Sequence, residues 1–94
     1  MCFQKVPGKH NSHHVIIFAL STCGWCRKTK EYLKEKQVEY QYTDVDKLPM
    51  PKIHEVRRII KKYNPRGSFP TIVIDETHVI IGYRPDEIEE VLDK

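Results

Sequence analysis

Apolar and polar positions divide the chain into segments of different period. Val15-Ile16-Ile17-Phe18-Ala19-Leu20 is apolar on both faces and β-branched at its start, the pattern of a central strand covered on both sides. The next stretch is charged but places Cys26, Thr29, Tyr32 and Leu33 at helical spacing. That predicts a helix beginning near Cys23, with Lys28, Lys30, Glu31, Lys34 and Glu35 facing water. Val38 to Thr43 alternates strictly and predicts a half-buried strand nearer an edge. After a loop from Asp44 to Pro51, a second helix carries Ile53, Val56, Ile59, Ile60 and Tyr63 inward, and Asn64-Pro65 stops it. Thr71 to Ile74 and His78 to Ile81, joined by Asp75-Glu76-Thr77, predict an antiparallel hairpin. Pro85 opens a last helix, with Asp86 and Glu87 in its acid-favouring first turn and Ile88, Val91 and Leu92 inward. The order β-α-β-α-β-β-α predicts an α/β fold on a mixed four-stranded sheet over residues 15–94. Residues 1–14, polar and rich in histidine, read as a flexible lead-in.

Composition narrows the class. The chain has 94 residues, enough for one domain with a single core. Charged residues are 31% and hydrophobic residues 39%, ordinary values for a soluble protein. A net charge of +3 suits an acidic or anionic partner but gives no argument for nucleic acid. The longest apolar run, Val15 to Leu20, is far shorter than a membrane span. Met1 to His14 holds no hydrophobic signal core, so the expected location is cytoplasmic. A monomer is the expected state.

Three cysteines are present, and two of them form Cys23-Gly24-Trp25-Cys26. In a reducing compartment that spacing reads as a reactive pair rather than a disulfide scaffold. A helix start presents free amide N–H groups and a positive dipole end, and Arg27, Lys28 and Lys30 follow closely. Both effects favour a thiolate at Cys23, the nucleophile of disulfide exchange. Cys26, three residues on, lies on the same side of the helix, within reach for a disulfide. Two other readings use these features. Cys23 and Cys26 are two ligands of a metal or iron–sulfur site, completed by a second chain or by Cys2 with His13 and His14. The basic face Arg57, Arg58, Lys61 and Lys62 is the surface of a non-catalytic interaction module.

Four stretches in order carry a family resemblance: Ser21-Thr22-Cys23-Gly24-Trp25-Cys26, Ser68-Phe69-Pro70-Thr71, Ile72 to Ile80, and Gly82-Tyr83-Arg84-Pro85-Asp86-Glu87-Ile88. Together they resemble the glutaredoxins, which implies a thioredoxin fold. The last stretch looks more like the redoxins that serve ribonucleotide reductase. The resemblance implies catalysis by Cys23 and Cys26, and a cis peptide bond before Pro70. It implies substrate contact at Trp25, Phe69, Pro70, Thr71, Gly82 and Tyr83, with Arg66 as a nearby cation. Three positions depart from the usual family pattern: Gly24-Trp25 between the cysteines, Leu20 where a lysine is typical, and Ile81-Gly82 where two glycines are typical. The implied activity is thiol–disulfide exchange on protein or small-molecule disulfides. No Rossmann fingerprint is present, so no bound cofactor is expected. Electrons would come from a low-molecular-weight thiol or a flavoprotein reductase.

Overall fold

Residues 3–93 are described here by a computed structural model. The elements in chain order are β1 (Gln4–Val6), β2 (Val15–Ala19), α1 (Gly24–Glu35), β3 (Tyr40–Asp44), a short 3-10 helix (Val45–Lys47), α2 (Met50–Tyr63), β4 (Thr71–Ile74), β5 (His78–Ile81) and α3 (Pro85–Leu92). The strands form one sheet in the order β1-β3-β2-β4-β5. β2 runs parallel to β3, with Ile17 beside Tyr42, and antiparallel to β4, with Ile17 beside Ile72. β4 and β5 make the expected hairpin, Ile74 pairing with His78.

The two-sided apolarity of β2 follows from its central place. Val15, Ile17 and Ala19 join Tyr40, Ile72 and Ile74 in a core completed by Cys26 and Leu33 of α1 and Ile88 of α3. Phe18 faces the other way and packs with Val73, Val45 and Ile60 of α2. A fully buried Leu or Ile is worth about 1.5–3 kcal/mol, against about 0.2–0.5 for a charged pair along a helix. The helices are therefore held by these inward side chains rather than by their surface charges.

The expectation of four strands is corrected to five. Gln4–Val6, inside the stretch read as a flexible lead-in, pairs antiparallel with β3. His10 then bridges the segment after α1: its N–H donates to the Gln37 carbonyl, and its own carbonyl accepts from the Glu39 N–H, each at 2.9 Å. Gly8 lies so close that a Cβ there would stand 2.5 Å from the Glu39 nitrogen. β3, expected near an edge, is thus flanked on both sides. Lys30, expected in water, is also corrected. Its ammonium pairs with Asp44 at 2.9 Å and lies over the Tyr42 ring at 4.1 Å. Among the described residues, no helix is long and apolar enough to cross a membrane.

Candidate active site

The cysteines are delivered by a turn at the end of β2. The Cys23 N–H donates to the Leu20 carbonyl at 3.1 Å, closing residues 20–23 into a tight reversal. Cys23 is then the N-cap of α1, with extended φ and ψ of −88° and 117°. Its Sγ accepts the Cys26 N–H at 3.2 Å, so sulfur takes the place of the usual capping oxygen. Cys23 is half-buried and Cys26 has no exposed surface. Burial pushes the Cys26 thiol up to about 12, and its contact with Cys23 adds to this. The Leu20 backbone and the Lys30 charge pull the other way.

The turn is tied from outside as well. The Ser21 N–H donates to Asp46 Oδ1 at 2.8 Å, and its hydroxyl donates to Oδ2 of the same carboxylate. These two bonds hold the Asp46 carboxyl below the usual carboxylate range.

A groove of about 340 Å³ opens beside the cysteines, lined by Trp25, Phe69, Ile81, Gly82, Tyr83 and Arg84. Trp25 is 58% exposed, with its ring stacked on Tyr83 at 5.9 Å and Lys28 over it at 5.2 Å. Its carbonyl accepts the Thr29 hydroxyl at 2.9 Å, which steadies the first turn of α1. The Phe69–Pro70 bond is cis. Gly82, at φ 86°, donates its N–H to the Pro70 carbonyl at 2.9 Å; a side chain there would be strained in that backbone conformation.

The loop before Pro70 is organised from within by Asn64, 1% exposed. Its amide nitrogen lies 3.0 Å from both the Thr71 and Ser68 hydroxyls, and its Oδ1 accepts the Arg66 N–H. The Thr71 hydroxyl in turn donates to the Ser68 carbonyl at 2.8 Å.

With this geometry in place, the family is decided by the match of residues 15–79 to the Glutaredoxin family model. The chain belongs to the glutaredoxin family. It is 36% identical over 78 residues to an uncharacterized glutaredoxin-like 8.6 kDa protein in the rubredoxin operon of Clostridium pasteurianum, covering 83% of this chain and 96% of that one. Among solved structures, it is similar to the glutaredoxin from Methanosarcina mazei Go1, with a TM-score of 0.89 and 35% identity, covering 100% of this chain and 90% of that one. The methanoredoxin of Methanosarcina acetivorans follows at 0.87 and 31%, with coverages of 93% and 90%. The fold is the thioredoxin fold, and glutaredoxin-type thiol–disulfide redox chemistry is its general activity.

In this glutaredoxin the residues expected to meet substrate fall into two groups. Trp25, Phe69, Gly82 and Tyr83 line the groove together. Pro70 and Thr71 are fully buried beneath it, Thr71 with its hydroxyl engaged in the loop. Arg66 is exposed on that loop and its side chain is not part of the groove lining. Sequence patterns pointed to neither the Asp46 clamp, 25 residues from Ser21, nor the role of Asn64, which read only as a helix stop. Only polarity at those positions was visible. Cys2, considered as a ligand with His13 and His14, lies outside the described residues. Among the described residues, no group of three or more His, Cys, Asp and Glu side chains comes together in a form that could hold a metal ion.

Proposed function

We propose that this glutaredoxin is a dithiol reductase of protein and small-molecule disulfides, using Cys23 as nucleophile and Cys26 as resolving thiol. The observation that supports it most is the asymmetry of the pair: Cys23 reaches the surface while Cys26, one turn behind, is wholly buried with its N–H on the Cys23 sulfur. Cys23 thiolate attacks one sulfur of the substrate disulfide and expels the other as a thiolate. Cys26 then attacks Cys23 in the mixed disulfide. Its proton passes to the departing substrate sulfur, and the Cys23–Cys26 disulfide takes up the two oxidising equivalents. An external thiol or a flavoprotein reductase returns two electrons to it.

Glutathione is proposed as the weaker donor. Its two carboxylates need cations and free N–H groups. Leu20 is half-buried against the α2-side core, and the Asp46 carboxylate is anchored on the very next residue. At the start of α3, Asp86 and Glu87 add negative charge, and Arg84 already pairs with Glu87 at 3.5 Å. Arg66 offsets part of this. A compact anionic thiol or a protein reductase needs fewer of these positions.

The test is reduction of a small mixed disulfide by the wild type, Cys23→Ser and Cys26→Ser, with glutathione, coenzyme M, other small thiols or thioredoxin reductase as donor. Cys23→Ser should be inactive and Cys26→Ser should accumulate mixed disulfide. Activity retained in Cys23→Ser would sink the dithiol reading. Glutathione as the fastest donor, unimproved by Leu20→Lys, would sink the reading of the donor.

A further inference from the structure

Asp46 sits outside the C-x-x-C, in the 3-10 helix that joins β3 to α2, and is exposed. Its carboxylate nevertheless receives both donors of Ser21, the backbone N–H at 2.8 Å and the hydroxyl. Ser21 is the first inner residue of the Leu20–Cys23 turn, whose closing bond is the Cys23 N–H to the Leu20 carbonyl. Among the described residues, no other side chain from outside the turn and α1 hydrogen-bonds to it, and Cys23 follows Ser21 by two residues. The position of the nucleophilic sulfur against the Cys26 N–H therefore depends on a contact made from the segment that follows β3, the strand running parallel beside β2.

We propose that Asp46 is a positioning residue for Cys23: its carboxylate clamps the turn so that the sulfur is held on the Cys26 N–H and aimed at the incoming disulfide. The inference deepens the dithiol reading and rests on it for the identity of the nucleophile. Its own physics is separable. Asp46 touches neither sulfur in this arrangement; it acts through Ser21. A carboxylate near a thiolate repels it, so removing the charge alone would favour the thiolate and speed its reactions. Removing a clamp does the reverse, because a misplaced nucleophile loses rate even when its chemistry is intact. The two effects have opposite sign.

The experiment measures alkylation of Cys23 by iodoacetamide near neutral pH in the full chain carrying Cys2→Ser and Cys26→Ser, so that a single thiol reacts. Asp46→Ala, Asp46→Asn and Ser21→Ala are added singly, and Asp46→Ala with Ser21→Ala together. Reduction of the same small mixed disulfide is followed in the dithiol protein. Urea unfolding fixes conditions in which every variant is folded. Asp46→Ala is expected to slow both alkylation and disulfide reduction about three- to tenfold, a modest part of what misplacement of a reacting group can cost. Ser21→Ala, which keeps the backbone N–H bond to Asp46, should slow them less, the double variant should be no slower than Asp46→Ala alone, and Asp46→Asn, which keeps one acceptor, should also fall between. Glu35→Ala, which removes a like charge at the far end of α1, should leave the rates unchanged. Rates equal to or faster than the parent in Asp46→Ala, or additive losses in the double variant, would overturn the clamp. A dithiol protein that reduces no disulfide, with alkylation still slowed by Asp46→Ala, would overturn the reductase reading and leave the clamp standing.

Discussion

The backbone N–H of Cys26 donates to the sulfur of Cys23 at 3.2 Å, while the Cys26 side chain has no exposed surface. In the proposed mechanism one residue thus contributes twice, its amide to the Cys23 sulfur and its thiol to the resolving step. Burial opposes charge on Cys26, which suits it to the resolving role proposed for it.

That burial makes stability depend on alkaline pH. The Cys26 thiol rises from the ordinary 9.0 to about 12 in the folded chain. Above 9 the unfolded chain gives up this proton and the folded chain keeps it, so the folded state binds more protons. The contribution is fully present below 9 and is lost as pH rises from there towards about 12. Urea unfolding of reduced wild type and Cys26→Ala, near neutrality and then across that window, should show the wild type losing ground on the variant. A constant difference would contradict it.

Trp25 and Tyr83 form one wall of the groove by stacking at 5.9 Å. Trp25→Ala removes an exposed aromatic surface and its pairing. An aromatic pair is worth about 0.5–1.5 kcal/mol, so KM for a peptide disulfide should rise roughly two- to tenfold. A fall in kcat at unchanged KM would remove the groove from substrate binding.

Asn64→Ala should cost about 1–3 kcal/mol, because it removes a buried amide that bonds the Ser68 hydroxyl, the buried Thr71 hydroxyl and the Arg66 N–H. The loop carrying Phe69 and Pro70 should also show faster amide exchange. Stability within experimental error of wild type would show that the network is dispensable.

Gly8→Ala tests whether the N-terminal arm belongs to the fold. The new Cβ would meet backbone at 2.5–2.7 Å in the Gln37 to Glu39 segment, where nothing can rotate aside. Overpacking of this kind costs about 1–3 kcal/mol. The Gln4–Val6 amides paired to β3 should lose protection first. Unchanged exchange there would mean the arm is not locked by Gly8.

Much of the fold is legible in the sequence because local period reports burial directly. β2 is apolar on both faces because both faces are covered, and α1 shows Cys26, Thr29 and Leu33 at helical spacing because those positions point into one core. The Asp75-Glu76-Thr77 connection was legible from its polarity and shortness. The candidate site was legible where its chemistry is local, in the C-x-x-C at a strand end.

The remainder depended on distance in space. Gln4–Val6 is too short to display a period, and its pairing is set by Tyr40 and Tyr42 on another strand. His13, in the same stretch, meets Asp75 at 2.6 Å, and the His14 N–H meets the same carboxylate at 2.8 Å. Lys30 looks like any helix-surface lysine until β3 brings Asp44 beneath it. Ser21 and Asp46 carry no shared pattern across 25 residues, since a polar residue in a loop has the same composition whether or not it has a partner. Residue type and period determined which segments bury and where the two cysteines of the candidate site lie. Only the packing of the sheet decided which charged and polar groups meet, because those contacts are directional and join parts of the chain that local spacing does not relate.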